Sequence, residues 1–177
     1  MDTGNSPKVK RIAIVGPECT GKTALARFLA NYYKTVWVPE FAREYLERLG
    51  RPYHQSDLTK IAFGQIQLEN TIALQAREFV FYDTNLVVIK IWSEFKYGSF
   101  DATIADLMQQ QHYDLHLLTD IDLPWGDDPL REHPHKRQEL FELYERELKE
   151  RNVTYCIIRG QAAARNAAAI AAVEQIR

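Results

Sequence analysis

Cysteine is scarce, an excess of charge of either sign is missing, and so are long apolar runs. Each shortage removes a class of protein. The two thiols among 177 residues, Cys19 and Cys156, fall in a glycine loop and in an apolar strand-like run, which argues against a structural disulfide. Two thiols cannot complete a four-ligand zinc site, and the five histidines show no zinc-type pairing with them. His133 and His135 flank Pro134 and read as a solvated loop rather than as ligands. Acids exceed bases by only two, 24 against 22, so no electrostatic case exists for nucleic acid or an anionic membrane as partner. No stretch approaches 18 apolar residues, which removes a helical membrane span. The opening MDTGNSPK is polar and lacks the apolar core of a secretion signal. The expectation is a single domain over 1–177, cytoplasmic, large enough to bury roughly 70% of its unfolded surface.

Against these absences stands one complete motif. Gly16-Pro17-Glu18-Cys19-Thr20-Gly21-Lys22-Thr23 has the form G-x-x-x-x-G-K-[ST]. The glycines let the backbone curl so that successive N–H groups point at phosphate oxygens. Lys22 can reach the β- and γ-phosphates, and the Thr23 hydroxyl can ligate Mg²⁺. Its context fits, with the β-branched run Val9–Val15 before it. After it, Leu25, Phe28, Leu29 and Tyr32 recur at helical spacing. The helix N-terminus then adds its partial positive charge to the anion site. ATP and Mg²⁺ are the implied cofactors.

Apolar runs of strand length recur between helical patterns along the rest of the chain. Strands are predicted at Val36–Val38, Phe79–Tyr82, Asp114–Leu118 and Thr154–Ile158. Helices are predicted over Phe41–Leu49, from a cap at Ser56 or Asp57 to about Glu78, and over Leu86–Tyr97, Thr103–Gln111, Arg137–Asn152 and Ala162–Ile176. Five strands alternating with helices make an α/β three-layer sandwich, a mainly parallel sheet with helices on both faces. Ligands in such sheets bind beyond the carboxyl ends of the strands, so Glu40, Asp83, Asp120 and Gly160 should ring one mouth with the glycine loop.

Chemistry concentrates at those strand ends. Asp83 follows the run FVFY, where an acid can serve the Mg²⁺ shell or the substrate; the plainer alternative is a helix cap. Glu40 can accept the proton of an attacking hydroxyl or bond sugar hydroxyls, and Arg43, one turn on, can pair with phosphate or with Glu40. Here the alternative is a capping carboxylate beside a surface ion pair. The polar stretch 120–137 has the composition of a lid, which must bring cations onto the transferring phosphoryl group. Arg131 is its first cation and Arg137 its second. Among the aromatics near strand mouths, Trp92, Tyr97, Tyr82 and Trp125, the last is least easily read as core, and an aromatic face beside carboxylates suits a positively charged ring.

Several of these pieces together resemble one family. GPECTGKT with VPEFAR, FYDTNLVVIKIWSEFKYG and LLTDIDLPWGDDPLREHPHKR are similar to the ribosylnicotinamide kinase domain of NadR-type proteins, from about Lys10 to Ile176. The resemblance implies a P-loop kinase fold that moves the γ-phosphate of ATP onto the 5′-hydroxyl of nicotinamide riboside. It implies that Gly16–Thr23 binds the ATP phosphates, with Thr23 and Asp83 on the metal. Of Glu40 and Asp83 one is the base and the other lies near metal or ribose, with Glu40 favoured as base. Arg131 and Arg137 would be lid cations, Trp125 or Trp92 would stack on the nicotinamide, and Arg165 would help seat adenine. No H-x-G-H motif is present and fewer than a dozen residues precede the first strand, so adenylyl transfer and DNA-binding repression are not expected.

Overall fold

The computed structural model describes residues 8–177. The polar opening read above as no secretion signal lies, apart from Lys8, outside them. Five strands, β1 (Lys10–Val15), β2 (Val36–Val38), β3 (Phe79–Asp83), β4 (Leu115–Thr119) and β5 (Tyr155–Ile158), form one sheet in the order β2-β3-β1-β4-β5. All four pairings are parallel. This order puts β1 at the centre, with the chain stepping to one side for β3 and to the other for β4. The crevice outside the end of β1 is therefore the place where a ligand can sit between diverging connections.

Alternation along β1 divides the core. Ile12 and Ile14 face one way, onto α1 (Lys22–Tyr32) and α7 (Ala162–Glu174), through Leu25, Leu29, Ala169 and Val173. Ala13 and Val15 face the other way, where the larger cluster gathers residues of α2 (Phe41–Leu49), α3 (Gln55–Ala73), α4 (Leu86–Tyr97), α5 (Ala102–Gln110) and α6 (Arg137–Glu150). The three layers anticipated from the periodicity are present, and the sheet is wholly parallel among the described residues.

Most element boundaries fall within two residues of the sequence expectation, and α3 departs from it at both ends. Helix α3 stops at Ala73 rather than near Glu78, because two tight backbone bonds, Gln75 N–H to Ile72 and Ala76 N–H to Ala73, turn the chain toward β3 without glycine or proline. Its start is capped by neither Ser56 nor Asp57. His54 is the N-cap, and Asp57 is the third residue of a capping box, its carboxylate accepting the His54 N–H at 2.9 Å. Asp57 is buried, and the Arg51 guanidinium holds its carboxyl well below the ordinary range, helped by the His54 N–H.

Helices α2 and α3 meet where a glycine is required by space alone. A Cβ on Gly64 would lie 2.1 Å from the Phe41 ring. The neighbouring Gln65, 1% exposed, accepts the Phe41 N–H at 2.9 Å, so two successive residues of α3 hold the first residue of α2. Gly64→Ala should therefore lower stability by about 2 kcal/mol, as overpacking outweighs the ~1 kcal/mol of helix propensity gained. A urea melt of the variant that is unchanged or shifted upward would contradict this packing.

The sheet also buries two titratable groups of opposite effect. Glu69 of α3 accepts from Tyr113 at 2.8 Å and from Arg11 at 3.4 Å, yet burial pushes its carboxyl up to about 7. His116 of β4 lies 3.2 Å from the Asn85 amide, and burial lowers it to about 4. Between the ordinary glutamate value and about 7, the folded protein keeps a proton at Glu69 that the unfolded chain has released, so stability falls as pH rises. Between about 4 and the ordinary histidine value the unfolded chain binds the proton that folded His116 refuses, so stability rises with pH. The two slopes oppose one another over much of that range. Glu69→Gln removes the first, and the variant should gain on wild type by on the order of 2 kcal/mol from pH 5 to pH 8. A difference between the two proteins that does not change with pH would be inconsistent with a buried, protonated Glu69.

Candidate active site

The glycine loop wraps the end of β1 because Gly16 has φ +141° and lies against β4. A Cβ there would meet the Thr119 hydroxyl at 2.5 Å and its carbonyl at 2.9 Å. Thr20, fully buried, bonds the Thr119 hydroxyl at 2.7 Å and the Pro17 carbonyl at 2.8 Å, so the loop is tied to β4 and to itself. Cys19 takes a left-handed φ of +57°, and its thiol accepts the Gly126 N–H at 3.0 Å. Lys22 folds over the loop and donates to the carbonyls of Gly16 at 3.0 Å and Pro17 at 2.7 Å. These are contacts that phosphate oxygens can replace.

A cavity of about 350 Å³ opens over the loop. Gly16 to Thr23, Glu40, Arg43, Asp83, Trp92 and Arg131 all border it. Asp83, 2% exposed, accepts the Thr23 hydroxyl at 2.5 Å through Oδ2, while its Oδ1 is buried without a partner. It is no cap: Asn85 caps α4 by accepting the Val87 N–H at 3.0 Å. Between them Thr84 has φ +72°, a conformation that a β-branched residue avoids at a cost of order 1–3 kcal/mol. Glu40 is the N-cap residue of α2 but makes no side-chain cap, which leaves its carboxylate to the cavity.

The electrostatics run toward neutrality. Burial raises Glu40, opposed by Lys22 and reinforced by Asp83. Burial likewise raises Asp83, against the Thr23 hydroxyl and Lys22. Burial lowers Lys22, against Glu40, Asp83 and Glu18. An unpartnered buried carboxylate oxygen beside a threonine hydroxyl fits a hard divalent cation that takes its other ligands from phosphate and water. Among the described residues no group of three or more His, Cys, Asp or Glu side chains converges to hold a metal by itself.

Other expected site residues lie elsewhere. Trp125 is outside this cavity, with the Arg131 and Arg137 guanidinium groups over its ring, each 5.8 Å from its centre. Tyr97 packs beneath the α2–α3 connection, its hydroxyl 3.4 Å from the Tyr53 carbonyl, and does not border the cavity. Tyr82 is fully buried core. Arg43 borders the cavity but pairs with Asp128 at 2.9 Å and Glu47 at 3.6 Å rather than with Glu40. Arg137 donates to the carbonyls of Leu123 at 2.9 Å and Cys19 at 3.4 Å, which makes it a strut between lid and loop. Arg165, 5% exposed, bonds Asp122 at 2.7 Å and the Thr20 carbonyl, so it braces the loop, and it does not border the cavity. Asp120 pairs with Arg159 at 2.8 Å, and the Gly160 N–H bonds Asp122; neither borders the cavity.

The far wall was not anticipated. Ile91 and Phe95 of α4 share the Trp92 side of the cavity, and Leu140 and Tyr144 of α6 close it, the latter pair one helical turn apart. The periodicity of α6 was visible, but not which face would meet the site. His133, read as a solvated loop residue, packs its ring against Phe95 and borders the cavity. Glu18 also has a second task. Its carboxylate accepts the main-chain N–H groups of Glu132 at 3.1 Å and His133 at 3.0 Å, fastening the lid segment to the glycine loop. No helix among the described residues is long and apolar enough to cross a membrane.

Comparison with known proteins agrees with this architecture. The chain is 31% identical over 127 residues to the trifunctional NAD biosynthesis/regulator protein NadR of Salmonella typhimurium, covering 70% of this chain and 31% of the relative. It is 29% identical over 153 residues to the Escherichia coli protein of the same name, covering 83% and 37%. The chain thus spans about a third of the length of these curated relatives. Among solved structures, NadR protein in complex with NR superposes with a TM-score of 0.82 at 23% identity, over 95% of this chain and 50% of that one. Thymidylate kinase from Ehrlichia chaffeensis gives 0.68 at 13% identity, over 97% and 100%. These likenesses establish the P-loop kinase fold. The AAA domain family matches residues 11–165, nearly the whole described chain, and the protein belongs to that family.

Proposed function

We propose that this chain transfers the γ-phosphoryl group of ATP to the 5′-hydroxyl of nicotinamide riboside, giving nicotinamide mononucleotide. One observation carries the reading: the glycine loop, its lysine, buried Asp83, half-buried Glu40 and Trp92 border a single cavity. The similarity to NadR proteins, and the fold shared with NadR bound to NR, support the choice of acceptor. The reaction and its reducing, cytoplasmic setting suit a small-molecule enzyme with free thiols at Cys19 and Cys156.

The residues divide the work by position. The Gly16–Thr23 backbone and Lys22 hold the β- and γ-phosphates, Lys22 exchanging its two loop carbonyls for phosphate oxygens. Thr23 and Asp83 fit Mg²⁺, which when bound neutralises charge on the β- and γ-oxygens. With Asp83 engaged by Thr23, Glu40 is the acid left to accept the proton of the 5′-hydroxyl as its oxygen attacks phosphorus. The β–γ bridging oxygen leaves with ADP, and Lys22 and Arg131 carry the developing charge. The lid segment 120–137 brings Arg131 to this cavity and shields it from water. Trp92 offers a ring face to the pyridinium, whose positive charge is favoured by the neighbouring acids.

The test is transfer from ATP-Mg²⁺ to a panel of nucleosides; absence of product with nicotinamide riboside would sink the assignment. Lys22→Ala should lower turnover at least about 100-fold, because its clamp acts chiefly in the transition state. Near-normal turnover would contradict it. Glu40→Gln should lower kcat by about 100-fold or more while sparing ATP binding, and Asp83→Asn should chiefly raise the Mg²⁺ concentration needed. An exchange of these two phenotypes would reverse the roles of the acids.

A further inference from the structure

Two buried side-chain atoms on residues bordering the cavity have no hydrogen-bond partner: Oδ1 of Asp83 and Nε2 of His133. The metal-side reading accounts for the first, and the second is left over. The His133 ring stands edge-on to Phe95, centres 5.0 Å apart at 74°. Its main-chain N–H is fixed by the Glu18 carboxylate at 3.0 Å, so the ring is positioned by the glycine loop on one side and α4 on the other. The nearest recorded charge is Glu132 Oε2, 4.0 Å from Nε2, beyond hydrogen-bond reach and already taken by the Tyr53 hydroxyl at 2.6 Å. Leaving a buried ring nitrogen unmatched is costly, and native proteins seldom do so without a ligand, water or function to answer it.

A ring nitrogen of a neutral imidazole is a donor in one tautomer and an acceptor in the other, and a primary carboxamide, having both N–H and C=O, can answer either. A carboxylate in the same place would share a cavity already holding Glu18, Glu40 and Asp83. We propose that His133 sets acceptor specificity by hydrogen-bonding a carboxamide-type substituent on the acceptor's ring, which lies against Trp92 and Phe95. The inference rests on the kinase reading above and goes beyond it, by naming the residue that tells an amide-bearing ring from a bare or acidic one. A site built to hydrogen-bond a substrate group discriminates against the analogue lacking it, because the protein's own group is then left unpaired.

The experiment crosses variant with analogue. Transfer from ATP is measured to nicotinamide riboside and to N-ribosylpyridinium, the same cation without the carboxamide, using wild type, His133→Leu and His133→Gln. The leucine variant should lose about tenfold in kcat/KM on nicotinamide riboside with KM for ATP unchanged. On N-ribosylpyridinium wild type and the leucine variant should be equal within about twofold, and glutamine should recover most of the loss on nicotinamide riboside. An equal loss on both acceptors, or no loss on either, overturns the assignment to His133 while leaving the kinase reading intact. Wild type that phosphorylates neither acceptor overturns both.

Discussion

The contact between the glycine loop and the end of β4 is the constraint on which the site depends. Gly16 passes so close to Thr119 that no side chain fits, and Thr20 exchanges a buried hydroxyl bond with the same residue. A loop that must present its N–H groups inward cannot also satisfy its own carbonyls. The paired Thr20 and Thr119 hydroxyls lie within bonding distance of the Pro17 and Val15 carbonyls and have one proton left for them beyond the bond they share, Arg165 takes the carbonyl of Thr20, and Lys22 takes those of Gly16 and Pro17. With the backbone locked in this way, the side chains of Glu18, Cys19 and Lys22 have defined directions. The rest of the cavity is arranged around them.

Charge balance follows from the same geometry. Glu18, Glu40 and Asp83 face Lys22, Arg43 and Arg131 in a space of about 350 Å³. Arg43 is already committed to Asp128 and Glu47, so Lys22 carries much of the compensation. Burial shifts Glu40, Asp83 and Lys22 each toward its uncharged form. A polyphosphate and a divalent cation would bring in both signs of charge together and favour the ionised form of each group. The left-handed Thr84 beside Asp83 is the backbone distortion that accompanies this placement.

Most of the fold was legible in the sequence, because strand and helix periods alternate cleanly; the strand-end rule held for β1, β2 and β3 but not for Asp120 and Gly160 after β4 and β5. The glycine loop, Glu40 and Asp83 could be placed by the strand-end rule alone. What could not be read was side-chain commitment across long separations. Arg165 and Asp122 are 43 residues apart and Arg43 and Asp128 are 85 apart, and no local pattern pairs them. Trp125 looked like a ligand platform because it sits in a polar segment, yet polarity there reflects two arginines stacked about its ring. His133 looked solvated because proline and charges surround it, whereas Phe95 draws it into the cavity wall. For Arg165, Arg43 and His133 the deciding partner comes from another helix or loop, and for Trp125 one of the two lies in its own segment.

The lid is held from beneath by the glycine loop itself. Glu18 accepts two of its main-chain N–H groups, the Cys19 thiol accepts a third, and Arg137 returns a bond to the Cys19 carbonyl. Loop and lid therefore share fasteners, and the locked loop fixes the cavity wall that carries His133 along with itself. Two ligands that meet through a common deformable element cannot bind independently. Whatever free energy one spends or saves in setting that element is felt by the other in equal measure, whichever arrives first. On the kinase reading proposed above, two ligands in this cavity would share those fasteners and so be coupled in binding.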